Sequence, residues 1–124
     1  MEEARSMKLN AVRIPCRNLQ EADAYYENAI GWQKAFGEPS EGYIGYRLGD
    51  SIALLEPEEP GEFECGRYLG FSVSVADIAQ YYQDALTRGV EFTGPPVAQE
   101  WGGVMTHIRD CSGNTFSIVQ EGDS

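Results

Sequence analysis

Apolar and polar positions along this chain fall into two nearly matching stretches. Leu9, Ala11, Val12 and Ile14 mark a first strand over residues 9–14. Asn18 then opens a helix, because its short side chain can accept from the freed N–H groups of the first turn. Glu21 follows three residues later in the capping-box position. Ala22, Tyr25, Tyr26, Ala29 and Ile30 recur at helical spacing, and Gly31 suits a left-handed C-cap. Trp32 to Phe36, Tyr43 to Leu48 and Ser51 to Glu56 read as three more strands, the last two joined by a Gly49-Asp50 turn.

The order then starts again. Tyr68 to Val75 reads as a strand, and Asp77 with Gln80 repeats the capping pattern. Ile78, Tyr81, Tyr82, Ala85 and Leu86 form the apolar face of a helix that Gly89 ends. Val90 to Thr93, Val104 to Arg109 and Thr115 to Gln120 complete the set, with a turn at Asp110 to Asn114 before the last strand. Both halves read βαβββ, and both helices carry a Tyr-Tyr pair. A period of about 60 residues, present twice, indicates a duplicated module and not a solenoid. The expected class is α+β, each module burying its helix against its own sheet.

The 124 residues suffice for one domain. We place it over 8–121, with module 1 at about 8–56, an acidic linker at 57–66 and module 2 at about 67–121. Residues 1–7 and 122–124 are expected to be flexible termini, with Met7 as a second start. The linker holds Pro57, Pro60, Gly61 and several glutamates, so it should be extended and solvated. No apolar run approaches the roughly 20 residues that cross a bilayer, and the N-terminal stretch lacks an apolar signal core, which predicts a cytoplasmic protein.

A net charge of −11, with Lys and Arg unclustered, argues against nucleic acid and against anionic membranes as partners. Cys16, Cys65 and Cys111 are widely spaced and odd in number, so they read as reduced thiols, neither a disulfide framework nor a zinc knuckle. Gly61, Gly66 and Gly70 do not bridge a strand to a helix, which removes the nucleotide-binding fingerprint.

The paired modules, the helix ending in Gly31-Trp32, and the closing Trp101-Gly102-Gly103 … Asp110-Cys111-Ser112-Gly113-Asn114-Thr115-Phe116 stretch resemble the vicinal oxygen chelate superfamily, which includes glyoxalases, bleomycin-resistance proteins and extradiol dioxygenases. The resemblance spans Lys8 to Glu121. Cys111 and Ser112 stand where the family pattern has proline and aspartate. The resemblance implies two tandem βαβββ modules forming a cup-shaped, partly open barrel with helices outside, completed within a chain or across a homodimer. On the last strand Phe116 and Ile118 would then face a helix, and Thr115, Ser117 and Val119 the cup.

Metal-dependent members of that family place His or Glu at four strand positions. Carried over, these fall on Ala11, Glu56, Gly70 and Ser117, of which only Glu56 is a ligand-type residue. The single histidine, His107, would point into the cup with Met105 and Arg109. No cofactor is therefore expected; a divalent metal held by His107 and Glu56 is the alternative. The resemblance is closest to the bleomycin-resistance branch, which holds a ligand without metal.

Aromatic side chains are the usual walls of such a site, and Tyr43, Tyr46, Tyr68, Phe71 and Trp101 lie on or beside the cup strands. Arg47 is too costly to bury against a helix, so it faces the cup or solvent, as does Arg13. An inward Arg47 could pair with Glu56. Ser72, Ser74 and Ser117 add hydroxyls without a neighbouring base. The expected ligand-binding set is Arg47, Glu56, Phe71, Trp101, His107 and Ser117. The expected function is metal-free binding of a small hydrophobic or aromatic molecule by a homodimer. The alternatives are a lyase, isomerase or dioxygenase with His107 or Glu56 as the catalytic base, and a non-enzymatic interaction or regulatory domain.

Overall fold

The computed structural model describes residues 7–122. The expected flexible segments fall largely outside this range. Module 1 runs β1 Ala11–Cys16, α1 Leu19–Ala24, β2 Gln33–Glu38, β3 Tyr43–Leu48 and β4 Ser51–Pro57. Module 2 runs β5 Tyr68–Val75, α2 Ile78–Thr87, β6 Glu91–Phe92, β7 Val97–Ala98, β8 Val104–Arg109 and β9 Thr115–Gln120. The first sheet has the order β1-β4-β3-β2; the second has β5-β9-β8-β6, with β7 also on β8. In each, the first strand lies parallel to the last. The fold is thus α+β, with two open sheets.

Both helix starts follow from their caps. Asn18 accepts from the Glu21 N–H at 2.9 Å and Asp77 from the Gln80 N–H at 3.0 Å. Three local features differ from the sequence reading. β1 lies over Ala11–Cys16, two residues later than expected. After α1 the helix widens into a π-helical segment, Tyr25–Ile30, from which adjacent Tyr25 and Tyr26 both reach module 2. The linker is not simply extended: Glu59 and Phe63 exchange backbone hydrogen bonds of 2.7 and 2.8 Å around Pro60-Gly61, two residues that favour a turn.

Both sheets turn one face to a single core. Ile14, Ile44, Tyr46, Ala53 and Leu55 come from the first sheet; Ile108, Phe116 and Ile118 come from the second. Tyr26 sits between them, its ring 6.2 Å from Tyr46 and 6.3 Å from Phe116. Phe116 and Ile118 therefore pack on the helix side, as alternation predicted.

Side-chain hydrogen bonds lock the modules. Asp110 is buried and accepts from Tyr26 Oη–H at 2.6 Å and from the backbone N–H groups of Ser112 and Asn114 at 2.8 and 2.9 Å. Asn114 Nδ2 donates to Pro15 O at 2.8 Å, and its Oδ1 accepts from Gly66 N–H at 3.0 Å. Ser112 Oγ accepts from Arg17 N–H at 3.0 Å. The closing turn noted in the sequence is thus the clasp between β1, the linker and β9. With both helix-facing surfaces spent on one core, the opposite face of each sheet is left open.

Candidate functional site

The open face of the first sheet follows from register. Arg13 is opposite Leu54, Leu54 opposite Gly45, and Gly45 opposite Phe36. These residues form one row across the sheet, because directly paired residues share a face. Gly45 leaves room for the Phe36 ring, which a Cβ there would overlap. Phe36 and Tyr43 lie with ring centroids 6.2 Å apart and are partly exposed.

Glu56 and Arg47 share that face but do not pair. Glu56 Oε1 accepts from Arg13 Nε at 2.6 Å, and the Arg13 guanidinium lies 4.2 Å from the centroid of the Phe63 ring in the linker turn. The sequence had noted Arg13 but not Phe63. Arg47 is exposed and makes no ion pair among the described residues. Tyr46 lies on the other face: it is fully buried, and its hydroxyl donates to Asp23. It belongs to the core and not to the cup wall. The alternation of Ile44 and Tyr46 against Arg47 carried that signal.

The open face of the second sheet holds a concavity of about 560 Å³, lined by Tyr68, Gly70, Phe71, Trp101, Met105 and Ser117 among others. Tyr68 and Trp101 are 71% and 66% exposed, so two large aromatic side chains stand at its rim with nothing covering them. Phe71 also lines it, but its ring stacks on Phe116 at 5.2 Å and packs against the core. The β5–β9 register slips between Tyr68 and Ser72, and Gly70 sits in that irregularity with φ of 77°, a conformation that favours glycine. A Cβ on Gly70 would meet open space. His107 is opposite Ser117 in the ladder and makes an edge contact with Tyr68 at 5.9 Å. A smaller hollow of about 380 Å³ lies between Leu9, Val12 and Leu48 of module 1 and Phe71 to Ser74 of β5.

The expected ligand-binding residues therefore divide between two sheets. Arg47 and Glu56 lie on the first; Phe71, Trp101, His107 and Ser117 lie on or beside the second. Neither hollow is lined by Glu56 or His107. A metal does not fit the residues present: Ala11, Gly70 and Ser117 supply no strong ligand, and Glu56 is engaged by a guanidinium. Among the described residues no three His, Cys, Asp or Glu side chains converge on one point.

The thiols are poor nucleophiles. Burial pushes Cys65 up to about 11 and Cys111 up to about 12, and holds Cys16 higher still. All three stay protonated at neutral pH. No helix among the described residues is long and apolar enough to cross a membrane.

The model of the "Glyoxalase/Bleomycin resistance protein/Dioxygenase superfamily" matches residues 8–118. No curated protein matches the sequence. A superfamily member from Sphaerobacter thermophilus DSM 20745 is 26% identical, with a TM-score of 0.81 over 94% of this chain and 99% of that one. TnmS3, an antibiotic binding protein from Streptomyces sp. CB03234, is 18% identical, with a TM-score of 0.79 over 94% of this chain and 97% of that one. Lactoylglutathione lyase from Agrobacterium tumefaciens is 14% identical, with a TM-score of 0.72 over 91% and 92% of the two chains.

Proposed function

We propose that this chain, which belongs to the glyoxalase/bleomycin resistance protein/dioxygenase superfamily, is a binding protein that takes a small aromatic or hydrophobic molecule against its open sheet faces without a metal. The carrying observation is the hollow of about 560 Å³ on the second sheet, within the range usual for ligand sites, with Phe71 and Met105 in its lining and exposed Tyr68 and Trp101 at its rim. Large aromatics left uncovered by the chain's own packing are surfaces that gain by burial against another apolar body.

A metal-free site is favoured because Arg13 already satisfies the one carboxylate at a family ligand position. An acid–base pair of Glu56 and His107 gains no support, since the two lie on different sheets and line neither hollow. The shared fold with TnmS3 shows that this architecture accommodates an antibiotic in another chain; the reading here rests on this chain's own residues. We further propose a homodimer. Among the described residues β1 and β5 each have a neighbour on one side only, and Phe36, Tyr43, Val97 and Trp101 remain exposed, so a second copy laid over these faces would deepen the hollow into a cup.

The test is a titration with planar aromatic compounds, followed by calorimetry and by fluorescence. Trp101 is the exposed reporter, since Trp32 packs on Tyr26 and Phe116. Micromolar binding that weakens tenfold or more in Trp101→Ala, with no metal in the purified protein by elemental analysis, is expected. Binding unchanged in both Trp101→Ala and Tyr68→Ala, or a stoichiometric divalent metal that survives dialysis, would overturn it. Sedimentation at micromolar concentration checks the dimer.

A further inference from the structure

We infer that Arg13 is an anion-receiving group on the open face of the first sheet, and that the ligand it fits is an aromatic carboxylate. This rests on the reading that the open faces take up aromatic ligands, and adds the charge that such a ligand carries.

The Arg13 guanidinium is held in two ways. Its Nε donates to Glu56 Oε1 at 2.6 Å, and its Cζ lies over the Phe63 ring, 4.2 Å from the centroid. Neither Nη group has a hydrogen-bond partner among the described residues, and the side chain remains 55% exposed. An exposed ion pair contributes little stability. Its consequence here is geometric. Glu56 takes the Nε edge, Phe63 lies against the group, and the Nη edge has no partner among the described residues. A planar guanidinium with one edge free is suited to two parallel hydrogen bonds from a carboxylate. The linker turn at Glu59–Phe63 is what brings the phenyl ring beneath it.

What lies beside that edge defines the rest of the ligand. Along the same row stand Leu54 and then Gly45, over which the Phe36 ring is seated. At about 4.8 Å between strands, Gly45 lies roughly 10 Å from Arg13. The row therefore offers a cation at one end, Leu54 beside it and the Phe36 ring at the far end, together about as long as a fused bicyclic ring. Inorganic phosphate or acetate would use only the first of these, and an uncharged hydrocarbon only the other two. The protein's net charge of −11 opposes anions at long range. That field is screened within about 8 Å at physiological salt, whereas direct contact with the guanidinium is not.

Calorimetry with 2-naphthoate and its neutral counterpart 2-naphthalenemethanol, both at 0.15 M NaCl, tests this. Wild type should bind the acid at least tenfold more tightly than the alcohol. Arg13→Met should remove that preference, and Arg13→Lys should restore only part of it. Phe63→Leu keeps the charge but loosens the guanidinium, and should weaken the acid several-fold. Thermal unfolding of each variant confirms the fold. Equal binding of acid and alcohol by wild type, equal loss of both in Arg13→Met, or binding of neither overturns the inference. Alcohol binding that depends on Trp101 but shows no acid preference removes the inference and leaves the proposed function standing. An Arg13-dependent acid preference untouched by Trp101→Ala does the reverse.

Discussion

Asn114→Ala should be among the most damaging single-side-chain truncations outside the apolar core. The side chain is fully buried and makes three hydrogen bonds: to Pro15 O at 2.8 Å, to Asp110 Oδ2 at 3.1 Å, and from Gly66 N–H at 3.0 Å. Each is worth about 1 kcal/mol net, and the Gly66 N–H left without a partner costs about 1 kcal/mol more. The sum is about 3–4 kcal/mol, against a total stability of about 5–15 kcal/mol for a domain. At about 4 °C per kcal/mol for a chain of this size, the melting temperature should fall by about 10–15 °C. Asn114→Asp separates hydrogen bonding from shape. It keeps the Gly66 acceptor but turns a donor into an oxygen facing Pro15 O and the Asp110 carboxylate. Its loss at pH 7 should equal or exceed that of alanine, and should shrink in acid as the new carboxyl takes up a proton. Differential scanning calorimetry at pH 7 and pH 5 reads both. A fall of less than 3 °C in Asn114→Ala, or a wild-type melting temperature in Asn114→Asp, would refute the clasp. The double variant with Tyr26→Phe should be non-additive, since both side chains bond Asp110.

Other outcomes follow from single residues. Phe116→Ala removes the ring shared by Tyr26, Trp32 and Phe71 and should cost about 3–5 kcal/mol in denaturant unfolding; a cost below 2 kcal/mol contradicts a core common to both sheets. Gly70→Ala meets no steric obstacle but forces a φ of 77° on an L-residue, so it should destabilise by about 1–2 kcal/mol, and a neutral result would mean the β5 irregularity relaxes freely. Raising the pH should weaken the fold from about 9.0 upward, where unfolded thiols lose protons that folded Cys65 holds to about 11 and folded Cys111 to about 12. The sign follows because these raised values stabilise the folded state below the unfolded pKa, and that contribution drains away as pH climbs through the folded ones. Cys111→Ser should flatten the fall in melting temperature between pH 8 and pH 10; an unchanged slope rejects the assignment.

Much of this fold was legible from local chemistry. The caps Asn18 and Asp77 and the Gly113-Asn114 turn each act over a few residues, and each fell where the sequence put it. β7 was not foreseen, because the prolines at 95 and 96 break the pattern around a two-residue pairing. The faces of Arg47 and Tyr46 were readable from alternation once one of them was fixed. The Arg13–Glu56 pair was not readable. It depends on the parallel register of β1 with β4, and Phe63 enters it through a turn that the linker's charge had disguised as open coil. Cross-strand partners far apart in sequence leave no local trace.

The parallel closure of each sheet also bears on how the protein is made. β1 emerges first yet has no neighbour until β4 follows, and β5 has none until β9. At about 5–20 residues per second of synthesis, each opening strand waits for seconds with its backbone unpaired. β9 therefore acts as a keystone: a stop codon ahead of Thr115 would strip β5 of its one partner among the described residues and empty the place of Phe116. Such a cut should do more than weaken the protein: β5 would be severed from the β8 pairings with β6 and β7 that remain.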